Sequence, residues 1–318
     1  MTSQSTVMAF VHTLRYEAEG IISVELRPQG DTVFAPFEAG AHINLHLPNG
    51  LVRSYSLLNS PDDHGRYQIG ILRDRNSRGG SRYMHESLRI GMQLSITQPR
   101  NLFPLDESAG HTVLVAGGIG ITPIYCMLNR LRQLGKSVEL LYCARSRREA
   151  AFVAALEASD AQVTWHFDDE KGGPIDLKTF LAGRPASAHF YCCGPTPMID
   201  AFENHCESLG HPNVHVERFA AAPQAPAAAQ GSYEVQLARS GKSIEVPSGK
   251  SLLDALLESG IEVECSCREG VCGTCETRVL EGEPEHRDGV LTKAEKAANK
   301  TMMVCVSGCK GSRLVLDI

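Results

Sequence analysis

The sequence predicts a multidomain chain in which an antiparallel β-barrel is followed by a doubly wound parallel α/β domain and a small cysteine-bearing C-terminal module. Three observations carry this reading. Short β-branched segments punctuated by Pro and Gly occupy residues 1–105, strands alternate with helical stretches over 106–219, and an Ala/Pro linker at 220–231 sets off residues 232–318. At 318 residues and 42% hydrophobic content, the chain exceeds one ordinary core and can fill two or three.

In the first module the strand candidates are Val7 to Leu14, Ile21 to Leu26, His42 to Leu47, Val52 to Leu58, Tyr67 to Leu72 and Gln93 to Thr97, with one helix over Ser81 to Leu88. Two pieces there carry chemistry. On a strand, Arg53, Tyr55 and Leu57 share one face while Ser54 and Ser56 take the other. A guanidinium pairs with phosphate, a tyrosine covers a ring and a serine hydroxyl bonds a ring nitrogen, although an ordinary strand with a packed tyrosine reads the same way. Arg78-Gly79-Gly80-Ser81 precedes the helix and presents free amides to an anion, or else Ser81 serves only as its N-cap beside a solvated Glu86.

In the second module, the apolar strand His111 to Ala116 runs into Gly117-Gly118-Ile119-Gly120-Ile121-Thr122-Pro123, and a helix follows over Ile124 to Leu134. Further strands at Val138 to Tyr142, Val163 to His166 and His189 to Cys193 alternate with helices at Glu149 to Ala158 and Thr196 to Leu209, which indicates a parallel sheet. Ligands bind beyond the carboxyl ends of such strands. Gly117, Gly118 and Gly120 lie at one such end, in a spacing that is not the G-x-G-x-x-G fingerprint. Cys192-Cys193-Gly194-Pro195 lies at another, with Cys192 read as a small core residue and Cys193 as the functional thiol before the turn. Arg145, Arg147 and Arg148 meet an adenosine 2′-phosphate or form a solvated helix start, and the sequence leaves both open.

The C-terminal module carries the strongest signal. Cys267, Cys272 and Cys275 have the C-x4-C-x2-C spacing by which a plant-type ferredoxin loop ligates a 2Fe-2S cluster, and Cys305 follows as the fourth thiolate. Gly270 and Gly273 let the loop bend close to the sulfurs. Structural zinc, which usually brings paired C-x2-C knuckles, is the alternative; here only Cys272 and Cys275 form such a pair, and Cys265 fits no ligand register.

Composition narrows the function classes. A formal net charge of −6 with no basic run argues against nucleic-acid or anionic-membrane binding, and no apolar stretch reaches bilayer length. Eleven cysteines without a secretory leader imply a reducing, cytoplasmic setting.

Taken in order, Arg53-Ser54-Tyr55-Ser56-Leu57, Arg78-Gly79-Gly80-Ser81, Pro99-Arg100-Asn101-Leu102-Phe103-Pro104-Leu105, Gly117 to Pro123, Cys192 to Pro195, Glu217-Arg218-Phe219 and the cysteine loop resemble the phthalate dioxygenase reductase family, which includes the reductase component of vanillate demethylase. The resemblance spans nearly the whole chain. It implies a flavin-binding barrel, a nicotinamide-binding domain and a plant-type ferredoxin domain of β-grasp fold. It further implies that Arg53 holds the flavin phosphate, that Ser54, Tyr55 and Ser56 line the flavin, and that Arg78, Gly79, Gly80 and Ser81 form the FMN phosphate loop. Gly118, Ile119, Gly120 and Thr122 line the dinucleotide, with Cys193, Gly194 and Pro195 beside the nicotinamide and Phe219 over the flavin face; Ser56, Cys193 and Phe219 lie closest to the reaction. FMN is favoured over FAD, and NADH is the family's usual donor although Arg145-Ser146 resembles positions that meet the extra phosphate of NADPH.

The function implied is electron transfer from NADH through FMN to the 2Fe-2S cluster and on to a Rieske non-haem iron oxygenase acting on an aromatic or similar small substrate. A nicotinamide yields two electrons together and a 2Fe-2S cluster accepts one, so a flavin must stand between them. A flavin and iron–sulfur redox sensor, or a reductase serving another acceptor such as a haem monooxygenase, are the rivals. An exposed cluster loop suits a monomer that meets its partner transiently.

Overall fold

The computed structural model describes residues 6–30, 32–75, 77–219 and 231–318. It divides into two compact units, Met1–Glu217 and Arg218–Ile318. The linker expected at 220–231 lies outside the described residues except for Gly231.

The first unit begins with β1 (Thr6–Ala18), β2 (Ile21–Pro28), β3 (Ala41–His46), β4 (Val52–Ser56), β5 (Tyr67–Leu72), α1 (Gly80–Glu86), β6 (Gln93–Thr97) and β7 (Arg100–Asn101). The strands pair antiparallel in the order β4-β3-β6-β1-β2-β5, with β7 on β3, and a bridge between Leu57 and Ile69 joins the two ends into a barrel. Alternation places Ile43 and Leu45 in the core, and β4 follows β3 with Ser54 opposite Asn44 and Ser56 opposite His42.

The chain continues through β8 (His111–Gly117), α2 (Ile121–Gln133), β9 (Ser137–Ala144), α3 (Val153–Glu157), β10 (Val163–Phe167), α4 (Asp168–Lys171), α5 (Leu177–Leu181), β11 (His189–Cys193), α6 (Thr196–Ser208) and β12 (Val214–Glu217). The five strands are parallel, ordered β10-β9-β8-β11-β12. Because both faces are covered, β8 is apolar nearly throughout: Leu114 and Ala116 enter the core shared with the barrel, while Val113 and Val115 enter a second cluster with α5 and α6.

Several boundaries differ from expectation. α2 starts immediately after the glycines, with Pro123 in its first turn, where its missing N–H costs no hydrogen bond. The helix expected at 149–158 contracts to Val153–Glu157, because Phe152 adopts a left-handed conformation (φ 61°) and Ala150 is extended. Strand β12 and helices α4 and α5 are too short to show a period in the sequence.

The second unit holds β13 (Tyr233–Leu237), β14 (Ser243–Val246), α7 (Leu252–Glu258), β15 (Glu276–Glu281), β16 (Pro284–Glu285), α8 (Lys293–Ala298), β17 (Thr301–Met303), β18 (Gly308–Cys309) and β19 (Arg313–Leu316). The main sheet runs β14-β13-β19-β15-β17 with β13 and β19 parallel at its centre, and α7 buries Leu252, Leu253 and Leu256 in the same core as Val235, Leu314 and Leu316. This is the β-grasp arrangement. No helix among the described residues is long and apolar enough to cross a membrane.

Candidate functional site

The cysteine loop is assembled by strand register. Glu276 of β15 pairs with Met303 of β17, so Cys275 just before one strand and Cys305 just after the other meet at the same end of the ribbon. Cys267, Cys272, Cys275 and Cys305 are all buried, whereas Cys265 is half-buried against the core and outside the set. The four thiols act on one another most strongly two and two, Cys267 with Cys272 and Cys275 with Cys305. Cys267 beside Cys272 and Cys305 beside Cys275 draw the Cys272 and Cys275 thiols below the ordinary range against the opposing effect of burial. Among the described residues no three or more His, Cys, Asp or Glu side chains surround a point where one metal ion would sit. Four buried thiols brought to one place suit a binuclear cluster, in which each iron takes two thiolates and shares the sulfides.

The surrounding backbone fits the same group. The Glu269 N–H donates to Cys267 Sγ at 3.3 Å, and Thr274 Oγ1 lies 3.3 Å from Cys272 Sγ. Gly270 sits at φ 68° against Val306, where a β-carbon would come within 2.6 Å of Val306 Cγ2.

In the barrel, the two expected flavin motifs touch. A β-carbon on Gly80 would lie 2.6 Å from Arg53 Nε, so the Arg53 side chain rests directly on the start of α1. Gly79, at φ 101°, is the N-cap of α1. Ser81 is therefore not the cap: its hydroxyl accepts from the Asp74 N–H at 3.2 Å, while Ser77 Oγ accepts from Gly79 and Arg82. Glu86 is paired with Arg73 at 2.7 Å. Arg78 opens this loop, and Arg53, Gly79, Gly80 and Ser81 together form a cationic, glycine-lined cradle that suits a phosphate. Burial pushes the Tyr55 hydroxyl up to about 12, which keeps it neutral. Ser54 is turned away and donates to Asn44 Oδ1 at 2.6 Å.

At the carboxyl ends of the parallel strands, two loops interlock. A β-carbon on Gly120 would stand 2.1 Å from the Cys193 carbonyl oxygen, and one on Gly117 would stand 2.7 Å from Pro195 Cδ. Only glycine lets the turn after β8 approach the turn after β11 this closely. Gly118 is left-handed at φ 55°, and Thr122 Oγ1 donates to the Ile119 carbonyl at 3.1 Å. Barrel strand β5 lies against this turn, since a β-carbon on Gly70 would meet Thr122 Cγ2 at 2.6 Å and Ile119 Cδ1 at 3.7 Å.

The junction also reveals a residue to which the sequence assigned no role. Register places Glu217 of β12 beside Cys193 of β11, and Ser56 of the barrel lies with its hydroxyl 3.5 Å from Glu217 Oε2. Burial pushes the Glu217 carboxyl up to about 8, with the Ser56 bond opposing, and pushes the Cys193 thiol well above its ordinary range. Cys193 and Cys192 enter the cores on opposite faces of the sheet. The only trace of Glu217 in the sequence is its place two residues before Phe219, which is exposed and belongs to the second unit.

Comparison with known proteins matches residues 235–310 to a 2Fe-2S iron-sulfur cluster binding domain and residues 114–204 to an oxidoreductase NAD-binding domain. The phenoxybenzoate dioxygenase subunit beta of Ectopseudomonas oleovorans is 48% identical over 97% of this chain and 96% of its own. Phthalate dioxygenase reductase, a solved structure described as modular for electron transfer from pyridine nucleotides to [2Fe-2S], is 36% identical with TM-score 0.74, over 99% of this chain and 98% of that one. The chain belongs to the phthalate dioxygenase reductase family. An intact type IV self-sufficient cytochrome P450 monooxygenase is also similar, at 36% identity and TM-score 0.89, with 98% of this chain spanning 41% of that one. As a member of the phthalate dioxygenase reductase family, the chain is an NADH-dependent iron–sulfur flavoprotein oxidoreductase whose cofactors are FMN and a 2Fe-2S cluster.

Proposed function

We propose that the protein is the reductase component of a multicomponent oxygenase, delivering electrons from NADH to a Rieske non-haem iron oxygenase that acts on an aromatic or similar small substrate. The observation that carries it is the meeting of Ser56, Cys193 and Glu217 where the barrel abuts the parallel sheet, in a chain that also buries the four cysteines of a cluster loop. When bound, FMN would accept a hydride and release its electrons singly to the iron–sulfur cluster.

The chain's own residues orient and shield. Residues 1–105 form the flavin domain, with Arg53, Arg78, Gly79, Gly80 and Ser81 holding the phosphate and Tyr55 and Ser56 lining the ring, while Ser54 braces the strand through Asn44. Residues 106–219 form the nucleotide domain, with Gly118, Ile119, Gly120 and Thr122 receiving the pyrophosphate and Cys193, Gly194 and Pro195 bounding the nicotinamide. Glu217 and Ser56 hold a proton between them where the barrel meets the parallel sheet, and buried Cys193, kept neutral, excludes water there. The family likeness offers Phe219 to the flavin face. Residues 232–318 present Cys267, Cys272, Cys275 and Cys305 to the cluster. The protein works as a monomer in the cytoplasm, a setting that suits cysteines kept reduced or bound to the cluster.

Anaerobic stopped-flow mixing of the purified protein with NADH tests this: rapid bleaching of the flavin followed by cluster reduction is expected, and a flavin left oxidised would end the proposal. Likeness to the cytochrome P450 monooxygenase favours one second reading, a haem acceptor. Turnover with a Rieske oxygenase and not with a haem monooxygenase separates the two.

A further inference from the structure

Buried polar atoms almost always find a partner, and two in the second unit that lack one face each other. His286 and Asp288 lie in the turn after β16, with side chains 7% and 0% exposed; His286 Nδ1 and Asp288 Oδ2 stand 3.8 Å apart, sealed from solvent and without a hydrogen bond. Their other atoms are engaged. Asp288 Oδ1 accepts from the Val290 and Leu291 N–H groups at 3.0 and 2.7 Å, and His286 Nε2 lies 3.1 Å from Oδ1 of Asn299, the left-handed residue that ends α8. An amide oxygen only accepts, so Nε2 carries a hydrogen. Without a further proton, Nδ1 would set a lone pair against a carboxylate oxygen in a place closed to water.

The same turn stands behind the cysteine loop. The Gly289 N–H donates to the Gly270 carbonyl at 2.9 Å, and a β-carbon on Gly270 would lie 3.1 Å from Asp288 Cα. Gly270 lies between Cys267 and Cys272, one residue after Glu269, whose N–H donates to Cys267 Sγ. The Lys296 ammonium of α8 donates to the Asp288 carbonyl at 2.6 Å, and the Arg287 N–H donates to Ser307 Oγ at 3.4 Å, two residues beyond Cys305. The Arg287 guanidinium is paired with Glu285, and it is His286 that faces the Asp288 carboxylate.

We propose that His286 and Asp288 share one proton and act together as positioning residues for the cluster. The pair braces the 286–291 turn between α8 and Gly270, holds the loop amides on the thiolates, and so sets the potential at which the cluster takes its electron. Reduction adds negative charge to the cluster, and N–H donors aimed at its sulfurs favour the reduced form. The inference goes beyond the reductase reading, since it holds whichever acceptor the electrons reach.

It is tested on the complete holoprotein by spectroelectrochemical titration, with the cluster and flavin midpoints read in one sample. Asp288→Ala removes both the acceptor of the turn and the partner of His286. It should lower the cluster midpoint by about 59 mV, a tenfold change for a one-electron couple, and leave the flavin midpoint unchanged. The pair with its one proton is neutral, so the Asp288 variants alter no net charge and the midpoint reports the loop. Asp288→Asn, whose oxygen still serves Val290 and Leu291 and whose NH2 donates to Nδ1, should restore the parent midpoint. His286→Phe keeps the ring and the turn's own bonds but loses the tie to Asn299; it should shift the midpoint downward as alanine does, and it decides the matter where alanine prevents cluster assembly. A cluster midpoint within about 18 mV of the parent in either Asp288→Ala or His286→Phe, a change of twofold or less, makes the pair a structural contact only and overturns the inference. Asp288→Asn departing from the parent midpoint by more than that also overturns it, because the carboxylate would then act by its charge.

Discussion

A carboxyl drawn out of water keeps its proton, and Glu217, half-buried as a residue with its carboxyl against Ser56, is such a group. Its pKa rises from an ordinary 4.5 to about 8 because burial disfavours the anion more than Ser56 favours it. Between those values the folded protein holds a proton that the unfolded chain has released. Its contribution to stability is therefore complete below pH 4.5 and is lost as pH rises through about 8. Glu217→Gln should flatten that decline, so thermal melting of parent and variant should diverge progressively toward alkaline pH; parallel curves would show that the carboxyl is not buried as described. The cysteines permit a second test at this scale. Cys272→Ser removes one member of a thiol pair and should abolish the cluster's absorbance and transfer to the oxygenase, while flavin bleaching by NADH proceeds at close to the parent rate. Loss of flavin reduction in this variant would mean that the modules are not separable. The four cysteines were legible in the sequence because ligand spacing within a tight loop is itself a sequence property. Glu217 was not, because its meaning depends on which strand lies beside β11.

Between elements, the decisive contact is the turn after β8 against the turn after β11. Gly120 has no room for a β-carbon next to the Cys193 carbonyl, and that oxygen belongs to backbone that cannot swing away. Gly120→Ala should cost about 3 kcal/mol of stability, read from the denaturation midpoint, and should weaken NADH binding because the two loops part. An unchanged midpoint would show that the turns are not packed as described. Long alternating or apolar segments such as β5 and β11 were readable to the residue, since the period of a strand is written in its side chains. The helix expected over 149–158 was not: its composition favours helix, but the left-handed turn at Phe152 interrupts it. In the same way Ser81 looks like an N-cap in sequence, yet Gly79 takes that place because its left-handed backbone brings the chain down onto Arg53.

For the whole molecule, electron delivery depends on an encounter with a partner. Residues 232–318 carry 14 acidic and 11 basic side chains, and a thiolate-ligated cluster adds negative charge. Transfer to the oxygenase should accordingly slow several-fold between low and high salt, while NADH-dependent dye reduction stays nearly constant. Equal inhibition of both would argue against charge-guided docking. The sequence by itself determined the order of the modules, the family and the residues offered to each cofactor, because these depend on local spacing, on strand and helix period and on motif order. Only the tertiary structure decided that Cys275 and Cys305 meet at one ribbon end, that Ser56, Cys193 and Glu217 meet, and that the Asp169 N–H closes on the Arg145 carbonyl across the strand ends. Those relations join residues far apart in the chain, and only register and burial place such residues within reach of one another.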